Sequence, residues 1–125
     1  MTEEQIGHNI IGAALKVHST VGPGLLESAY ETCLLYELEK RNLSVRRQVV
    51  VPFRYEALII DNGYRIDLLV GDLVVVELKA LEAILPVHRA QLLSYLRPGG
   101  FRLGYLLNFN VARMRDGIVR VVNGL

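Results

Sequence analysis

The chain has 125 residues, 51% of them hydrophobic and 22% charged, with a formal net charge of +1. That balance excludes a disordered chain, and the length suits one domain over residues 1–125 rather than two small cores. No apolar run is long enough to span a bilayer, the start MTEEQIGHNI lacks the basic stretch of a secretory signal, and the single Cys33 cannot form an internal disulfide or a zinc site alone. The expectation is a soluble, cytoplasmic protein with no membrane segment.

Residues 3–18 place Ile6, Ile10, Ala13, Ala14 and Val17 on one helical face. Gly22-Pro23-Gly24 breaks the chain, and Leu25 to Arg41 predicts a second helix with Leu26, Tyr30, Cys33, Leu34 and Leu38 on its stripe. The period then shortens. Val45–Phe53 is rich in β-branched residues and predicts a strand, with Pro52 marking its end or a sheet edge. Tyr55–Ile60 predicts another short strand, closed by a turn at Asp61-Asn62-Gly63. Tyr64–Val70 and Val74–Lys79 predict two further strands. Pro86 opens a helix that runs through Gln91 to Leu96 and stops at Pro98-Gly99-Gly100. Arg102–Phe109 and Ile118–Val122 close the series as strands. The order implies an α/β chain, more strictly α+β, with helices packed on one mixed sheet.

Alternation along the two central strands puts Tyr64, Ile66, Leu68 and Val70 on one face, with Arg65, Asp67 and Leu69 on the other. On the next strand Val75, Glu77 and Lys79 share a face. A two-residue turn at Gly71-Asp72 would pair Asp67 with Val76. A one-residue slip pairs Ile66 with Leu78, Leu68 with Val76 and Val70 with Val74, and so sets Asp67 opposite Glu77. The buried face favours the slipped register, although it also sets Arg65 opposite Lys79. Two adjacent carboxylates repel unless a cation lies between them. Mg²⁺ or Mn²⁺ takes oxygen ligands of this kind, and Lys79 beside such an ion supplies the equipment for phosphodiester hydrolysis. An exposed sheet face with an ordinary Asp, Glu and Lys would have the same spacing.

Gly24-Leu25-Leu26-Glu27-Ser28-Ala29-Tyr30 fits the pattern GxxExxY. It precedes Ile66-Asp67, Glu77-Leu78-Lys79, the stretch Ala90 to Leu96, and Leu107-Asn108-Phe109. In these ordered blocks, from about Ile6 to Val122, the chain resembles the GxxExxY protein family, a branch of the PD-(D/E)xK nuclease-like superfamily. The resemblance implies a restriction-endonuclease-like core of helix, β-meander, crossover helix and strand. It also implies that Asp67 and Glu77 bind Mg²⁺ and that Lys79 assists the attacking water. Glu27 matches the acid that many members add from the first core helix, and Gln91 with Tyr95 resembles a QxxxY element. Ile66 stands where a proline often precedes the Asp. Each residue also has a plainer reading. Glu27 is an acid at a helix start, Tyr30 and Tyr95 fit a core, Gln91 fits a solvated face, and Cys33 is structural.

Charge bears on the partner. Residues 1–39 hold six acids and one base, while residues 83–125 hold six bases and one acid. Lys40, Arg41, Arg46, Arg47 and Arg54 follow one another without an intervening acid. Either a positive face awaits a polyanion, or acids lie across from these bases in space. Three readings follow: a Mg²⁺-dependent nuclease acting on DNA or RNA, a non-catalytic nuclease-like module that binds nucleic acid or protein, and a homodimer-forming accessory protein.

Overall fold

The computed structural model describes the whole chain, Met1–Leu125. Helix α1 (Glu3–Val21) begins where Thr2 and Gln5 satisfy each other's backbone N–H groups, and helix α2 (Glu27–Lys40) follows after the Gly22-Pro23-Gly24 break. Strands β1 (Val45–Tyr55), β2 (Leu58–Val70) and β3 (Val74–Lys79) form an antiparallel meander. Helix α3 (Pro86–Gly99) crosses over to β4 (Leu103–Asn108), which lies parallel to β3, and β5 (Ile118–Val122) pairs antiparallel at the far edge. The sheet order is β1-β2-β3-β4-β5. This is the expected mixed α+β arrangement. No helix is long and apolar enough to cross a membrane.

Both faces of the sheet are covered. On one, α1 and α2 pack Ile6, Ile10, Tyr30 and Leu34 against Leu68, Val76, Leu78 and Leu107. On the other, α3 packs Leu92 and Leu96 against Ile66, Leu69, Val75 and Leu106. The buried tyrosine of the GxxExxY segment has a structural task. The Tyr30 ring stacks on Phe109 at 4.5 Å, and its hydroxyl donates to the Gly22 carbonyl (2.6 Å) and accepts from the Leu25 N–H (3.1 Å). It therefore fixes the turn in which Gly22 and Gly24 adopt φ of 68° and 102°.

The structure corrects the sequence expectation in three places. The turn after β1 is at Glu56-Ala57, with Tyr55 paired to Leu58 and Glu56 at φ 52°. Tyr55–Ile60 is thus not a separate strand, and Asp61-Asn62-Gly63 is no turn. Those three residues form a bulge in β2 opposite the single Pro52, since Val51 pairs with Tyr64 and Phe53 with Ile60. Pro52 offers no N–H to the ladder, and a Cβ on Gly63 would meet the Phe53 backbone nitrogen at 2.9 Å.

The second correction concerns alternation. Leu68, Leu69 and Val70 pair with Val76, Val75 and Val74, which is the slipped register, but the ladder ends there. Ile66 does not join Leu68 under α1 and α2; it packs with Leu69 beneath α3. The alternation slips at Asp67, where the β1–β2 ladder also skips Gln48, whose φ is 50°. The third follows from the second. Because pairing stops before Arg65 and Lys79 meet, the like-charge pair expected there does not form.

Candidate active site

Where the β2–β3 ladder ends, two carboxylates replace it. The Asp67 N–H donates to Glu77 Oε1 (3.1 Å), and the Leu78 N–H donates to Asp67 Oδ2 (2.9 Å). Each side chain thus reaches across to the other strand's backbone, holding the fork open and bringing the two acids together. Glu77 is only 6% exposed, and Asp67 is half-buried. Burial, and next the charge of Asp67, push Glu77 up to about 8. Burial also raises Asp67; the Leu78 N–H opposes that rise, and the Glu31 charge adds to it. Both carboxyls are therefore held above the ordinary carboxylate range, and they titrate as a pair.

Lys79, half-buried and on the same face of β3 as Glu77, lowers both acids electrostatically without forming an ion pair with either. On α3, Gln91 Nε2 donates to the Tyr95 hydroxyl (2.9 Å), which leaves the tyrosine proton free for another acceptor. Burial raises Tyr95, and the charge of Glu77 raises it further, so this end of α3 lies within the field of the fork. Tyr64 stacks on Tyr95 at 4.5 Å, with its own hydroxyl buried and unpartnered. None of the five main surface cavities has Asp67, Glu77 or Lys79 in its walls.

Glu27 does not join the pair. It is exposed in the first turn of α2, and no three Asp, Glu, His or Cys side chains anywhere in the chain form a metal-binding group. The α2 acid felt by Asp67 is Glu31, one turn later on the same helix face. Glu31 is 7% exposed and is held by Arg47 Nη2 (2.8 Å) and Gln48 Nε2 (2.7 Å). In the sequence its one signal is a charged residue between Tyr30 and Leu34, on the side of α2 that faces the sheet. Tyr64 carries no signal there beyond its place in an alternating strand.

Five of the fourteen basic residues are paired with acids in space. Arg46 pairs with Asp72, Arg47 with Glu31, Arg120 with Glu4, and Lys16 and Lys40 with Glu37. Of the histidines, His18 donates through Nε2 to the Val111 carbonyl (2.7 Å), and His88 Nδ1 accepts from the Leu85 N–H at the start of α3 (2.8 Å). Both are structural.

Two mutually repelling carboxylates, one buried and one half-buried, each with one oxygen engaged by backbone, form a donor set that suits a hard divalent cation. Mg²⁺ and Mn²⁺ commonly take one or two protein carboxylates and complete their shell with water, so the fork fits such an ion without a third acid. A helix-flanked meander with a parallel crossover strand, and an acid pair plus lysine where the meander splits, define a nuclease-like fold. The family comparison agrees. Residues 4–121 match the model of the PD-(D/E)XK nuclease superfamily, and the chain belongs to that superfamily. No curated protein and no solved structure matches the chain significantly.

Proposed function

We propose that residues 1–125 form one nuclease domain that hydrolyses phosphodiester bonds in DNA or RNA with Mg²⁺ or Mn²⁺. The observation that carries this reading is the reciprocal Asp67–Glu77 fork, which holds two acids together at the cost of their ionisation. Asp67 and Glu77 would hold the cation, which when bound supplies charge neutralisation and an acidified water. Lys79 would orient that water and would stabilise negative charge developing on the phosphate. Gln91 and Tyr95 present an N–H and a free O–H on one face of α3, suited to a phosphate oxygen. Glu27, one turn from Glu31, is assigned water-mediated support, because it belongs to no three-acid group. The GxxExxY segment supports membership of that branch within the superfamily, and the free Cys33 suits the cytoplasm.

One observation favours the alternative of a non-catalytic module that binds nucleic acid or protein. Arg46 and Arg47, in the run of bases that could have faced a polyanion, are paired with acids. Cleavage of labelled single- and double-stranded DNA and RNA decides between the two. Wild type should cut at least one of them with Mg²⁺ or Mn²⁺ and Glu77→Ala should cut none. Metal-independent cleavage, or none by either protein, contradicts the nuclease reading.

A further inference from the structure

Strand β3 covers only Leu68–Val70 of β2, so the rest of β2 and its partner β1 extend beyond the sheet as a two-stranded arm that ends at Glu56-Ala57. A two-stranded ribbon is marginal in water unless something covers it. Yet six large apolar side chains, Val50, Phe53, Tyr55, Leu58, Ile59 and Ile60, are 39–60% exposed within eleven residues of this arm. Phe53 lies opposite Ile60 and Tyr55 opposite Leu58, which makes one continuous apolar face at the tip. Arg54 and Ile59, paired on the other face, line a cavity of about 440 Å³ with Pro52, Phe53 and Pro98 of α3. An exposed apolar concentration of this kind marks an interaction surface.

We propose that the arm is a self-association surface, occupied by the arm of a second copy of this chain related by a two-fold axis. Charge argues for this occupant over nucleic acid. Between Val49 and Arg65 the arm carries Arg54 and Arg65 against Glu56 and Asp61, a net charge of zero with both signs present. A polyanion would gain nothing from that balance, whereas a two-fold contact can set each arginine near an acid of the other copy. Area is also adequate. The four exposed side chains of the tip face offer on the order of 400 Å² per copy, and two arms together approach the roughly 1,000 Å² that a specific interface needs. Pro52 and the Asp61–Gly63 bulge interrupt the ladder and discourage open-ended edge pairing, so the contact is made by side-chain faces and closes at two copies. The inference does not depend on the nuclease reading.

Sedimentation and light scattering across the micromolar range test it. Wild type should move from monomer to dimer as concentration rises. Leu58→Thr with Ile60→Thr keeps strand-forming residues and should remain at half that mass with an unchanged circular dichroism spectrum. Should the double variant unfold, Tyr55→Arg on the same tip face provides the second test, and it too should shift the equilibrium toward monomer. A wild-type monomer throughout the range, or a dimer undisturbed by both variants, overturns the proposal. So does a monomeric wild type whose affinity for labelled nucleic acid falls in the variants, since the arm would then serve the substrate.

Discussion

The Asp67 backbone N–H donates to Glu77 at 3.1 Å, while the Asp67 carboxylate accepts from the N–H of the residue after Glu77 at 2.9 Å. Each acid therefore holds the other's strand. This exchange ends the β2–β3 ladder, shifts Ile66 to the α3 face and brings a buried and a half-buried carboxyl together.

The first consequence is a pH dependence of stability. In the folded chain Glu77 keeps its proton up to about pH 8, whereas its ordinary value is 4.5. Between those values the native state binds more protons than the unfolded state, so stability falls as pH rises through the window and levels off above it. The fall is on the order of 3–5 kcal/mol from this group. Thermal melts in chelator should show wild type losing stability from pH 5 to pH 8 and Glu77→Gln losing far less. Parallel curves would show that Glu77 does not hold its proton to that pH.

Divalent cations should reverse that loss. A ligand bound only by the native state raises the melting temperature, and binding to ionised carboxylates strengthens as pH rises. Mg²⁺ or Mn²⁺ should therefore stabilise wild type more at pH 8 than at pH 6. Asp67→Asn should abolish the response while raising metal-free stability at pH 8. Calorimetric melts with and without metal measure both effects.

The two α2 acids should separate by assay. Glu31→Gln weakens the links to Arg47 and Gln48, and should cost about 1–2 kcal/mol in a denaturant titration. Glu27→Gln alters an exposed side chain and should change stability by no more than about 0.5 kcal/mol. It should nonetheless slow cleavage severalfold. Unchanged cleavage in Glu27→Gln would confine that residue to its place at the helix start.

Gly63 should tolerate no side chain. A Cβ there would come within 3.0 Å of the Val51 carbonyl as well as crowding Phe53. Gly63→Ala should therefore destabilise by about 1–3 kcal/mol, the usual cost of forcing atoms into a filled site. Asn62→Ala, one residue away and exposed, should stay close to wild type in the same denaturant midpoints.

Helices α1 and α3 and strands β3 and β5 were legible because period and punctuation agreed locally. Ile6, Ile10 and Val17 recur on one face, and Pro86 and Gly100 bracket α3. The register that joins Asp67 to Glu77 was legible for a different reason: Leu68, Val70, Val74 and Val76 must share a buried face. The bulge at Asp61-Asn62-Gly63 was not legible. The same residues suit a turn, and only the non-local pairing with Pro52 makes them a bulge. Ile66 was misassigned because β2 is buried on both faces there, so either face satisfies its hydrophobicity. Glu31 escaped notice because its partners, Arg47 and Gln48, come from a strand that sequence periodicity cannot position against α2.

A catalytic fork needs Lys79 for cleavage and not for binding. Lys79→Ala leaves both carboxylates in place, so its metal-induced rise in melting temperature and its affinity for labelled nucleic acid should stay near those of wild type. Cleavage of that nucleic acid with Mg²⁺ or Mn²⁺ should fall by at least two orders of magnitude, as expected when a charge acting on the transition state is removed. Wild-type cleavage by Lys79→Ala under the same conditions would contradict the fork as a catalytic centre built on Asp67, Glu77 and Lys79.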